Sequence, residues 1–138
     1  MSMSQRAVVR ATQLLLGGVG LLFVLIGLGW WVTPAPVAAG LGMPLVDEVG
    51  RSTQIGDLAS FFLTLGVCIL AGVTTGVRSW LYPAIFLIGL AACGRTIAWA
   101  LHGASLPSGT VAFELAVAGL LYVASRTLGP SAPLESSP

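Results

Sequence analysis

The sequence predicts an all-α fold, an integral membrane four-helix bundle, and three features carry that prediction. Of the 138 residues 56% are hydrophobic and 8% charged, with a mean hydropathy of +0.95, so polar side chains are too few to coat a water-soluble globule. Four apolar runs are each long enough to cross a hydrocarbon core of about 30 Å, which takes roughly 20 helical residues. Between them lie helix breakers. One domain over residues 1–129 accommodates the four crossings, and the stretch 130–138, rich in proline and serine, is expected to be a disordered tail.

The first helix is expected at 11–32, after Arg6 and Arg10 and ending in Trp30 and Trp31. Val37, Ala38 and Ala39 resemble a leader cleavage site, but a leader's apolar region has only about 7–15 residues, so this run reads as a retained span. Pro34, Pro36, Gly40, Gly42 and Pro44, then Asp47, Glu48 and Arg51, make 33–54 an external loop. A short interfacial helix is expected near 37–41, and Arg51 stands at helical spacing from both Asp47 and Glu48, either of which it could pair with at little gain. The second, third and fourth helices are expected at 55–76, 80–101 and 111–128. A tight turn at 76–79 and a second connection at 103–110 join them, with Thr110 as N-cap of the last helix.

Arg6, Arg10, Arg78 and Arg126 fall on one side of this arrangement and Arg51 on the other, so both termini are expected in the cytoplasm of a multi-pass protein of the bacterial inner membrane. Trp30, Trp31 and Trp99 are then expected at the outer interface, and Trp80, Tyr82 and Tyr122 at the inner one. Gly17, Gly20 and Gly27 on the first helix and Ala112, Ala116 and Gly119 on the last are small enough for close helix packing. That packing would lie within the bundle or in a homo-oligomer.

Composition also excludes. A net charge of +1 offers no field for nucleic acid. The absence of lysine removes Schiff-base chemistry, and with it a retinal protein or a lysine-bound pyridoxal enzyme. Cys68 and Cys93 lack metal-ligand spacing and read as small apolar side chains, while His102 has no second histidine to share a metal. Gln13 reads as a bond to a neighbouring helix. No phosphate loop, nucleophile elbow or dinucleotide fingerprint is present, so neither a metal nor a cofactor is expected.

The ionisable residues of the spans converge on one depth. Asp57 and Glu114 lie early in the second and fourth helices, and Arg95 lies about 22 Å along the third from Trp80 at 1.5 Å per residue. Arg95, Trp99 and His102 share a helix face, as do Gln54 and Asp57. If those faces turn inward, Asp57, Arg95, Glu114, His102 and Gln54 line an outward-opening polar pocket, with Trp99, Phe61, Phe62 and Phe113 as walls and Arg95 shared by two carboxylates. The alternative stands level with it: the same charges complement helix macrodipoles, and the ion pair only fixes bundle register.

Each half of the chain has an aromatic-ended helix followed by one with an early carboxylate, a weak echo of parallel repeats. From Leu14 to Ala124 the chain resembles the small bacterial four-helix integral membrane proteins grouped as a domain of unknown function. The likeness lies in the Gly-rich first helix ending before Pro34, Gly56-Asp57 followed by Phe61-Phe62, Gly94-Arg95, and Glu114-Leu115-Ala116-Val117-Ala118. The resemblance implies a topology and no activity.

The residues themselves favour binding of a lipid-like or amphipathic small molecule, with Arg95 meeting an anionic or carbonyl head group. The competing readings are an acid/base isomerase or cyclase on a lipophilic substrate, with Asp57 or Glu114 as the catalytic group, and a small accessory subunit of a larger membrane complex.

Overall fold

A computed structural model describes residues 3–127 as α1 (Met3–Val32), α2 (Pro34–Gly40), α3 (Glu48–Thr75), a 3-10 turn (Arg78–Trp80), α4 (Leu81–His102) and α5 (Ser108–Thr127). Four of the described helices are long and apolar enough to cross a membrane, which makes the chain an all-helical, multi-pass membrane bundle. The expected tail at 130–138 lies outside the described residues.

Three spans begin earlier than their apolar runs, and because α5 starts at Ser108, Thr110 lies within its first turn and is not its N-cap. α1 starts at Met3 and α3 at Glu48, because a helix can continue past its apolar run where its backbone hydrogen bonds are kept and its exposed side chains, Arg10 and Arg51 among them, are polar. The 28 residues of α3 reach about 42 Å, more than the hydrocarbon thickness. Its first turns therefore belong to the interface.

Two of the helices stop where the backbone turns left-handed. Gly76 (φ 72°) ends α3 and Gly103 (φ 66°) ends α4, conformations that a Cβ disfavours. α1 ends at Val32, two residues before Pro34, which opens α2 at a position where no N–H is needed. α2 lies within the expected external loop. Arg51 Nη2 meets Asp47 Oδ1 at 2.6 Å, an exposed pair that contributes little.

α1 packs most extensively on α3, α4 on α5, and α3 joins the two pairs. The α1–α3 seam is made by glycine. A Cβ on Gly66 would lie 2.6 Å from the Gly20 carbonyl oxygen and 2.7 Å from the Val24 nitrogen, and one on Gly27 would lie 2.9 Å from the Leu63 nitrogen. Ascending residues of α1 thus meet descending residues of α3, so the helices are antiparallel with their backbones in contact. Inside lipid, where apolar burial drives nothing, such an approach gains dispersion contacts that larger side chains would prevent. Gly17 and Gly119 have open space around a notional Cβ, and Ala112 and Ala116 are exposed. Ala112, Ala116 and Gly119 of α5 accordingly face outward, whereas Ala124 and Ser125 further along are buried in the bundle.

Leu16, Phe23, Trp30, Leu65, Ile69, Leu81, Ile88 and Leu121 form the buried core. Most other long apolar side chains point away from it, Leu14, Leu25, Phe86, Leu90 and Leu115 among them, as expected of a surface that acyl chains cover. Trp31, Trp80, Tyr82, Trp99 and Tyr122 are exposed, but Trp30 is not the interfacial anchor its place in the sequence suggests. It is fully buried in one cluster with Ala38 of α2 and Ala59 of α3, and its indole Nε1 has no hydrogen-bond partner. α2 folds back against the end of α1, with Val37 set against Gly29.

Gly66→Val is expected to force α1 and α3 apart and to cost about 1–3 kcal/mol or more through overpacking. Gly119→Ala, into open space, should leave stability within about 0.5 kcal/mol. Unfolding of both variants in detergent micelles checks the contrast; equal midpoints would refute a backbone seam.

Candidate functional site

Arg95 stands seven residues before the end of α4 and Glu114 six residues after the start of α5, about 10 Å from the connecting turn along each helix. The short turn makes the two helices antiparallel neighbours. The side chains therefore meet at one height, and Arg95 Nε donates to Glu114 Oε1 at 2.9 Å.

The pair is lopsided. Glu114 is 7% exposed, while the Arg95 side chain keeps 39% of its surface. One carboxylate oxygen is satisfied; the other, Oε2, is buried and has no hydrogen-bond partner. The remaining guanidinium N–H groups of Arg95 meet no acceptor among the described residues. A two-pronged guanidinium–carboxylate pair would have used both oxygens, so this single contact leaves donors and an acceptor side by side. Leaving such an oxygen unsatisfied costs about 1–3 kcal/mol.

Both residues line a cavity of about 140 Å³ reached by all four spanning helices. Phe23 and Ile26 come from α1, Phe62 and Leu65 from α3, Ile88 and Arg95 from α4, and Thr110, Phe113 and Glu114 from α5. Phe23 forms the hinge of the aromatic wall. Its ring stacks on Phe62 at 6.0 Å between centroids and meets Phe113 edge-on at 6.4 Å, separations at which aromatic pairs attract. Leu22, Leu41, Thr110 and Phe113 are exposed, so the cavity reaches the surface between α1 and α5, which touch only sparsely. A larger recess of about 320 Å³ on the outer side of α4 and α5 is lined by Ala92, Cys93, Thr96, Ile97, Val111 and Leu115 and holds no ionisable group but the Cys93 thiol.

Of the six residues expected to converge, the structure brings two together. Asp57 is exposed, takes no hydrogen bond among the described residues and is not in the cavity wall. It lies about 14 Å into α3, and with the early start of that helix this puts it near the membrane boundary, where water and head groups can solvate it. Gln54 is used by the loop: its Nε2 donates to the Pro44 oxygen at 3.1 Å and its Oε1 accepts from the Val46 nitrogen at 3.0 Å. Trp99 and His102 share Arg95's face, but the last two turns of α4 run beyond the packed bundle and every residue from 96 to 102 except Ala98 is exposed. The pocket in which two carboxylates share Arg95 is thus corrected to one carboxylate on Arg95. Among the expected walls, Phe62 and Phe113 line the cavity and Phe61 stands behind, edge-on to Phe62 at 5.2 Å.

Leu22, Phe23, Ile26, Leu41, Leu65 and Ile88 belong to the cavity without having been singled out in the sequence. Each is one apolar residue among many, and no polar partner marks it. Among the described residues no three metal-ligating side chains come together. In comparisons with known proteins, no family model, no curated protein and no solved structure matches the chain.

Arg95→Met strands a buried carboxylate and, with the partial exposure of Arg95 weakening the pair, is expected to lose about 1–3 kcal/mol. Adding Glu114→Leu should restore much of that loss, because both charged groups are then gone. Denaturant unfolding of the two single variants and the double variant measures the coupling; losses that simply add would show that the pair is not energetically linked.

Proposed function

We propose that the chain binds a lipid-like or amphipathic small molecule in the cavity between its four spanning helices. The observation that carries this reading is the unpartnered, buried Oε2 of Glu114 in an otherwise mainly apolar cavity. A buried charged oxygen without a donor calls for a group from elsewhere, and apolar walls with a few convergent polar atoms are the usual make-up of a small-molecule site. At the mouth, Leu22 and Phe113 stand on spanning helices, while Leu41 and Thr110 border it from the loop after α2 and the start of α5.

The protein is further proposed to lie in a bacterial inner membrane with the start of α1, the α3–α4 turn and the end of α5 in the cytoplasm. Support comes from the arginines. Arg10, Arg78 and Arg126 stand at that end of the antiparallel bundle and Arg51 at the other, and the end of α5 is near the 3-10 turn that carries Arg78. The cavity then sits in the outer half. An acid/base enzyme in the same cavity would have Glu114 alone as its carboxylate, since Asp57 is elsewhere.

Lipid extracted from protein purified in mild detergent is expected at near-stoichiometric amounts and should fall several-fold in Leu22→Trp, which closes the mouth. Leu115→Trp, in the apolar recess, should leave it unchanged. Equal retention in all three proteins would remove the binding reading. For orientation, a green fluorescent reporter fused after Pro138 should fluoresce and alkaline phosphatase fused there should be inactive; the reverse pattern would overturn the topology.

A further inference from the structure

We infer that the polar end of the molecule held in this cavity is uncharged and both donates and accepts a hydrogen bond, as a hydroxyl or primary amide does. The inference rests on the cavity being a binding site and deepens that reading by naming the chemistry of the occupant.

The existing ion pair decides the matter. Arg95 and Glu114 already neutralise each other through one short contact, so the cavity carries no net charge for a charged ligand to offset. An anionic end would meet the guanidinium only beside the bare Oε2, repelling it and still leaving that oxygen without a donor. A cationic end would satisfy Oε2 but face the arginine at close range, and in a mainly apolar wall neither repulsion is screened by water. An ether or ester offers acceptors only. It can engage Arg95 and do nothing for Glu114. A hydroxyl donates its proton to Oε2 and accepts from a guanidinium N–H that has no other acceptor, completing both partners in one group. The head group expected from Arg95 alone, an anion or a bare carbonyl, is therefore the less complementary one once Glu114 is in place.

Size adds a second constraint. At about 140 Å³ the cavity is close to the volume of roughly 150 Å³ that accommodates a benzene molecule in an engineered protein core. It takes the polar end and the first few carbons, and the rest of a longer chain must leave through the mouth between Leu22 and Phe113. An unbranched lipophile with a terminal hydroxyl meets both requirements.

The test uses the full chain in detergent micelles and equilibrium dialysis of four radiolabelled probes of one chain length: 1-decanol, decanoate, decylammonium and decyl methyl ether. Decanol should be retained at least tenfold more tightly than the other three. In Glu114→Gln the carboxamide supplies a donor of its own, so the preference for decanol over the ether should shrink or invert while the ether gains affinity. Tighter binding of decanoate, the ammonium or the ether to the unaltered chain, or equal binding of all four that Leu22→Trp abolishes, would overturn the assignment of the polar end and leave the cavity as a binding site. Binding that Leu22→Trp does not change, or no binding of any probe, would overturn the binding reading and this inference together. The ranking on the unaltered chain needs no variant to fold.

Discussion

Contact between the backbones of α1 and α3 is the constraint from which the rest of the bundle follows. In a bilayer, apolar burial gives helices no reason to prefer one another over lipid, and association has to come from close fit. Gly20, Gly27 and Gly66 provide it by letting main-chain atoms of one helix touch those of the other. With α1 drawn onto α3, it stands off from α5, and the two meet only sparsely. Phe23, Phe62 and Phe113 partly fill the resulting gap, and what they leave is the cavity. Tight packing on one side and an opening on the other are a single geometric fact.

The ion pair completes that opening. A carboxylate within a membrane-spanning helix is tolerated only with a partner, and the turn between α4 and α5 brings Arg95 to the same height as Glu114. The pairing is incomplete on both sides, since among the described residues one carboxylate oxygen and several guanidinium N–H groups meet no partner. A clamp serving register alone would gain from using both oxygens. The open valences point toward an additional group.

Much of the architecture was legible because hydrophobicity and proline–glycine punctuation act locally: the four spans and the loop carrying α2 follow from neighbours in sequence, as does a pair between Arg51 and one of two nearby carboxylates, which the structure shows to be Asp47. Which way each helix faces was not. In water, the buried side of a helix is the apolar side, but a spanning helix is apolar all round, so Leu22 and Phe23 carry no mark telling the cavity from lipid. Arg95 and Glu114 were readable as partners because their charges had to be met within the membrane. Asp57 was misplaced because α3 begins at Glu48, seven residues before its apolar run, and Trp99 and His102 because α4 outruns the packing around it. Gln54 was claimed by the loop, an outcome that depends on the fold of 41–47 and not on the periodicity of α3.

The sideways mouth has a consequence for what the cavity can sense. With exposed Leu22 and Phe113 on spanning helices at its mouth, an occupant held as proposed would have a route into the surrounding leaflet. Its occupancy would then follow the mole fraction of that molecule among neighbouring lipids, indifferent to dilution of the aqueous phase.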